Sequence, residues 1–165
     1  MIGESLLSQV LSTLVNQGIE KWKSGKQFTT LRLLAHERLA RELFWNRECL
    51  SARKKEEEAS IYLALLRTDA FDELVKLSAP MQDIFPEPIH LLTGLPVEPL
   101  SPLLRRRLGD IQHRHELIDR TYHRIWMMRH RVKHGLSLGD IAYLRQLVRL
   151  SLIEVEHGIG MMTGR

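Results

Sequence analysis

The sequence predicts an all-α protein, a bundle of four to five helices with a long proline-rich connection. Apolar residues recur at three- and four-residue intervals along most of the chain, and no strand-like alternation interrupts them. The 165 residues, 44% of them hydrophobic, are enough for one domain with its own core. We therefore predict a single helical domain over 1–165, with N-terminal helices in 1–79, the connection in 80–101 and a C-terminal helical hairpin in 102–158.

The N-terminal part contains three apolar patterns of helical period. The first predicts a helix from about Glu4 to Trp22 or Lys23, which Ser24-Gly25 would end. The second covers Thr30 to about Trp45, and the periodicity resumes at Ile61. Thr68 is then a candidate cap for a short helix over Asp69 to Leu77.

The proline-rich connection precedes the strongest periodicity of the chain. All six prolines lie in one window, where neither a regular helix nor a central strand is expected: Pro80, Pro86, Pro88, Pro96, Pro99 and Pro102. Ser101-Pro102 is a good helix start, and Gly135 is a good left-handed helix end. Between them, apolar positions follow steps of four and three, which predicts one uninterrupted helix, the longest in the chain. Ser137 with Asp140 predicts the cap of a last helix that ends near Gly158.

Charge is concentrated in the C-terminal half. The net charge is +4, and the segment from Ser101 to Arg149 has eleven basic and four acidic residues. This distribution favours a polyanionic partner, either RNA or an acidic protein. No apolar run approaches the roughly 18 to 20 residues of a membrane span, and the one cysteine, Cys49, cannot form an internal disulfide. With no signal peptide pattern at the N-terminus, we expect a cytoplasmic protein without membrane association.

The residues with chemical character lie at the end of the predicted long helix. His115, Tyr122 and Arg129 are spaced by seven and would share one face, where a buried arginine requires a groove, a counterion or a subunit interface. If the face instead frays toward solvent, Arg129 lies at the rim. His134 is five residues further on, about 140° around a helix, but a chain turn at Gly135 would bring its imidazole toward Arg129. Such a pair could cleave RNA without metal, with histidine as acid or base and arginine stabilising the phosphorane.

The segment Arg129-His130-Arg131-Val132-Lys133-His134-Gly135 resembles the Arg-x-x-x-x-His signature of HEPN-domain proteins. The resemblance implies a helical bundle that forms a homodimer, with two motifs facing one composite cleft. It also implies a metal-independent endoribonuclease without cofactor, commonly the toxin of a toxin-antitoxin pair or a phage-defence component. An antitoxin or another acidic protein would be a partner. By the same resemblance Arg129 and His134 would be catalytic, and His130 would occupy the polar position after the arginine.

Neighbouring residues supply further candidates for RNA binding. Basic side chains near the motif could bind phosphates. Trp22, Trp45 and Trp126 lie at helical positions and are expected in the core, although Trp126 adjoins the motif and could stack on a base. The candidate RNA-binding residues are thus Arg124, Arg131, Lys133 and Trp126. His130 and His134 could share a metal ion, with His123, or with His113 and His115, further up the helix. A third ligand is hard to name, so we predict no metal site. The alternative to the nuclease is a non-catalytic helical adaptor whose basic helix binds an acidic protein or nucleic acid.

Overall fold

The computed structural model describes residues 25–51, 59–76, 80–90, 102–135 and 141–165. Within these ranges the protein is all-α and has no strand, which confirms the predicted fold class. The helices are α1 (Lys26–Ser51), α2 (Ala59–Ala64), α3 (Asp69–Lys76), α4 (Met81–Ile84), α5 (Pro102–Leu108), α6 (Arg114–Lys133) and α7 (Ile141–Thr163). The helix predicted over Glu4 to Lys23 lies outside the described residues. None of the described helices combines the length and the hydropathy that a bilayer span requires.

Helix α7 lies at the centre of the bundle, because it packs against both α1 and α6. The smaller helices α2, α3 and α4 pack against α1, while α2 and α4 also contact α6. The main core is aliphatic, and its fully buried members include Leu31, Leu39, Ile125, Leu144 and Val155. The burial of this apolar surface, rather than helix propensity alone, stabilises the bundle.

Short polar links fix the elements around the core. The side chain of Asn46 donates to the carbonyl of Arg67 at 2.8 Å and accepts from its N–H at 2.7 Å. Glu42 accepts from the N–H of Ala70 at 2.8 Å, so a carboxylate lies at the N-terminus of α3, where the helix dipole favours it. Burial raises the pKa of this carboxyl, although the N–H groups of Ala70 and Phe71 oppose the rise. Between α6 and α7, the Thr121 and Ser151 hydroxyls lie 2.7 Å apart.

Several element boundaries differ from their predictions. Helix α3 begins directly after Thr68, whose hydroxyl donates to Asp72 at 2.7 Å, in agreement with the predicted start. Helix α1 extends past Trp45 to Ser51 and buries Asn46 and Leu50 beyond the predicted end. Helix α7 extends past Gly158 to Thr163, and Ile159 in this extension packs, partly buried, against the main core. The proline-rich window contains the short helix α4, which fits between Pro80 and Pro86.

The predicted uninterrupted helix from Ser101 to Gly135 is wrong, because the chain leaves the helical path between α5 and α6. The backbone at this break pairs with the 85–89 segment. The Ile89 N–H donates to the backbone carbonyl of Gln112 at 2.9 Å, and the Arg114 N–H donates to the backbone carbonyl of Glu87 at 2.9 Å. Glu116 caps the new helix by accepting from the Gln112 N–H at 2.8 Å. As a result α6 is shorter than α1 and α7, so the longest helix was also wrongly predicted.

A buried charge cluster lies where α1, α6 and α7 meet the 85–89 segment. It consists of Arg32, His36, Glu87, Arg114 and Glu154. Arg114 is only 2% exposed, and its Nη1 donates to Glu87 Oε2 at 3.0 Å while its Nε lies 3.5 Å from Glu154 Oε2. Arg32 also pairs with Glu87, and the Arg32 carbonyl lies 2.6 Å from His36 Nδ1. With His36 neutral, the two positive charges of the arginines balance the two negative charges of the glutamates.

Glycine is required where α7 crosses this cluster. A Cβ at Gly158 would lie 2.7 Å from Nη1 of Arg114 and 2.8 Å from Cδ2 of His36. The histidine ring is itself packed against Phe85, with ring centroids 4.3 Å apart, and cannot easily yield. Only a residue without a side chain therefore allows α7 to approach this closely.

We expect the free energy of unfolding to fall by about 3 kcal/mol between pH 6.5 and 4 because of His36. Burial, supported by the nearby Arg114 charge, lowers the pKa of His36 from 6.5 to about 4. The unfolded chain therefore binds this proton at a higher pH than the folded one, so stability is lost as the pH falls through this range. Urea denaturation at several pH values measures the loss. His36→Gln should lack this contribution, whereas the exposed control His123→Gln should retain it; equal losses in all three proteins would contradict the assignment.

Candidate nucleic-acid interface

Helix α6 ends at the segment that carries the predicted site. His134 is the C-terminal cap residue, and its N–H donates to the His130 carbonyl at 3.1 Å. Gly135 follows with a φ of +62°, the left-handed conformation expected for a helix-ending glycine. The last turn carries Arg131 and Lys133, whose positive charges complement the negative end of the helix dipole. This electrostatic match stabilises the helix whether or not a ligand binds there.

Four aromatic rings form an exposed row along one side of α6, in which neighbouring rings are stacked or, for the last pair, tilted. They are His123, Trp126, His130 and His134, hereafter the ring stack. The ring centroids of Trp126 and His130 are 5.5 Å apart with planes at 13°, and those of His130 and His134 are 4.4 Å apart with planes at 49°. His123 extends the stack at 6.4 Å from Trp126, which is 61% exposed. All four residues are exposed to solvent along the C-terminal part of the helix.

Cationic side chains lie on both sides of the ring stack. Arg129 and Lys133 are exposed and four residues apart, which places them along one side. Arg120, Arg124 and Arg131 recur at intervals of four and seven and follow the other side. Arg120 is engaged by Asp110, with its Nη2 2.8 Å from Asp110 Oδ2. Exposed aromatic rings between positive charges are the arrangement that single-stranded nucleic acid binding requires, since rings stack on bases and cations bind phosphates.

Arg124, on the same side of α6 as Arg120 and Arg131, contacts a tyrosine of α7. Its guanidinium carbon lies 5.6 Å from the ring centroid of Tyr143, and the Arg107 carbon lies 3.6 Å from the same centroid. The tyrosine ring thus connects α5, α6 and α7 and holds two of the arginines of the basic half together. Arg124 is half-buried, so its aliphatic part contributes packing as well as charge.

Arg129 and His134 do not meet within one chain. The imidazole of His134 contacts His130 rather than turning toward Arg129, and among the described residues Arg129 has no hydrogen bond or ion pair. Five helical residues separate the two side chains by about 140° around the axis. Arg129 is exposed whereas Tyr122 of the same predicted face is 2% exposed, so this face does turn to solvent at its end.

The prediction that tryptophans lie in the core is wrong for both that the structure describes. Trp45 is 39% exposed and donates from its indole nitrogen to the Leu65 carbonyl at 3.0 Å, and Trp126 is more exposed still. Trp22 lies outside the described residues. Cys49 is half-buried and packs against the main core. The spacing of three, four and four between the ring-stack members is a sequence signal that could have identified the stack.

Comparison of the chain with family models, with curated proteins and with solved structures found no match. The resemblance over Arg129 to Gly135 therefore stays a prediction.

Proposed function

We propose that the protein is a HEPN-like, metal-independent endoribonuclease whose ring stack binds single-stranded RNA at the end of α6. The observation that carries the proposal is the exposed stack of Trp126 with His130 and His134 between two basic sides. Bases would stack on the rings while Arg124, Arg131 and Lys133 bind the phosphates. The acid-base groups of the reaction would then lie beside the bound backbone.

The proposed reaction is attack of a ribose 2′-hydroxyl on the adjacent phosphorus. One imidazole removes the hydroxyl proton, the P–O5′ bond breaks, and a second imidazole gives its proton to the leaving oxygen. His134 and His130 would supply these two imidazoles, since both are exposed at the end of α6. A guanidinium stabilises the charge on the phosphorane, and the products are a cyclic 2′,3′-phosphate and a 5′-hydroxyl.

In a homodimer, the arginine of one subunit and the histidine of the other could lie close together. Because Arg129 and His134 lie on different sides of α6, we propose that Arg129 of one copy faces His134 of the other across a shared cleft. This arrangement agrees with the composite site that the resemblance implies. The toxin or phage-defence role, with an antitoxin or acidic protein as partner, belongs to the same proposal.

Replacing Trp126 by alanine should weaken single-stranded RNA binding by about 5- to 150-fold, the loss of one base-stacking surface. Fluorescence anisotropy with a labelled RNA in EDTA measures binding, and gel analysis of the same samples detects cleavage. Phe44→Ala is the matched control, because Phe44 is a similarly exposed aromatic residue, 49% exposed, on α1, which carries none of the ring-stack residues. Unchanged RNA affinity in Trp126→Ala, or equal loss in Phe44→Ala, would rule out the ring stack as the binding surface.

A second function, RNA or acidic-protein binding without cleavage, is favoured by the separation of Arg129 from His134 within one chain. In that case wild-type protein binds RNA but leaves it intact after prolonged incubation with and without metal. Its binding should weaken steeply with salt, because the flanking cations would supply most of the affinity. RNA cleavage by wild-type protein in EDTA would reject this alternative.

A further inference from the structure

A second cluster of histidines lies at the other end of α6, outside the proposed RNA-binding surface. His113 is the N-terminal cap residue of α6, and His115 and Glu116 belong to its first turn. One ligand atom from each of the three side chains lies within 4.8 Å of the others, a closeness that no other group of three or more histidine, cysteine, aspartate or glutamate residues reaches in the described ranges. The two imidazole rings are nearly parallel, with centroids 5.6 Å apart and planes at 19°.

The local backbone holds this histidine–glutamate cluster in place. The strand-like pairing of Pro88 with His113 ties the preceding turn to the 85–89 segment. Glu116 uses Oε2 to accept from the N–H groups of Gln112 at 2.8 Å and of His113 at 3.2 Å. Its Oε1 is then oriented toward Nδ1 of His113 at 3.7 Å. A carboxylate whose second oxygen is fixed by backbone donors is a preorganised ligand.

The charges around the cluster also suit a cation. Glu116 supplies one carboxylate to the cluster. Asp119 lies one turn further on, four residues after His115, and adds a second carboxylate that offsets the positive end of the helix dipole. The adjacent Arg114 is directed inward, where it pairs with Glu87 and Glu154.

We propose that His113, His115 and Glu116 bind one divalent transition-metal ion of the Zn²⁺ class, leaving a position for Asp119 or water. Two neutral imidazoles and a carboxylate are a typical ligand set for zinc, whereas Mg²⁺ and Ca²⁺ require mainly oxygen ligands. The ion would join the turn after α5 to the first turn of α6. This site lies about 30 Å along α6 from His134, so it takes no part in the proposed RNA cleavage.

Titration of zinc sulfate into chelator-stripped protein, in competition with a chromogenic chelator, tests the site. We expect one ion per chain in the wild type, with affinity reduced at least about tenfold in His115→Ala and in Glu116→Gln. Glutamine at this position retains the capping interaction, so the loss in Glu116→Gln would not come from an altered helix start. Zinc should also raise the melting temperature of the wild type but not of these variants.

The double variant His130→Ala/His134→Ala is the matched control, because it removes two exposed imidazoles of the same helix. It should bind zinc like the wild type. If the wild type binds no zinc at micromolar concentration, or if only the control loses binding, the proposed site is wrong. Neither result bears on the nuclease, which is assayed in EDTA.

Discussion

Replacing His134 by alanine should lower the rate of RNA cleavage by about 10²- to 10⁴-fold, the usual contribution of a positioned acid or base. The imidazole is exposed at the end of α6 and has no part in the core, so the fold and its stability should be unchanged. RNA affinity should fall much less than the rate, because Trp126 and the flanking cations remain. Single-turnover cleavage with excess enzyme separates these two quantities.

The control for this variant is His123→Ala, which shortens the ring stack at its other end. It should affect RNA binding but leave the cleavage rate of bound RNA close to wild type. Arg129→Ala should be as inactive as His134→Ala. Mixing these two inactive variants should restore part of the activity if subunits exchange, because one composite site per mixed dimer has both residues. Cleavage that persists in His134→Ala would contradict the catalytic assignment, and failure of an exchanging mixture would contradict the composite cleft.

Replacing Arg114 by methionine should reduce the free energy of unfolding by about 3–5 kcal/mol, the loss measured when one partner of a buried charge pair is removed. The change leaves the carboxylate of Glu154, which is 0% exposed, without its arginine. Urea denaturation followed by circular dichroism measures the loss. A loss of this size would make Arg114 a dominant contributor to stability, since the free energy of unfolding of whole domains is only about 5–15 kcal/mol.

Arg120→Met is the matched control for this experiment. Arg120 lies on the same helix and pairs with Asp110, whose side chain is 72% exposed, so we expect a loss below about 1 kcal/mol. Combining Arg114→Met with Glu154→Gln should cost less than the sum of the single changes, because the second removes the uncompensated charge. Equal losses in Arg114→Met and Arg120→Met would show that the buried charge cluster does not stabilise the fold.

The fold class could be predicted from the sequence because helical periodicity persists in most segments. The break before α6 could not, since Leu108, Ile111 and His115 continue the four-three spacing through it. Leu108 and Ile111 are buried as the pattern predicts, but in a second, smaller cluster with Tyr143. Periodicity indicates which residues are buried, but it does not show where the chain leaves the helical path. That break depends on hydrogen bonds to the 85–89 segment, which are tertiary contacts.

The candidate site was predictable in part. The position of His130 and His134 at a helix end follows from Gly135, and their contact follows from a four-residue spacing. The exposure of Trp126 could not be read from its large apolar ring. The buried charge cluster was not predicted either, because His36, Arg114 and Glu154 are far apart in the sequence and each one alone resembles an ordinary surface residue.

The charge cluster also limits how the helices can slide past one another. The aliphatic contacts between α1 and α7 are chemically similar along their length, so leucines alone would tolerate a displacement by one turn. Such a displacement would move Gly158 away from His36 and place a bulkier neighbour against the imidazole, while Glu154 would lose Arg114 in a medium that excludes water. We therefore expect these polar residues to select a single alignment of otherwise interchangeable apolar surfaces.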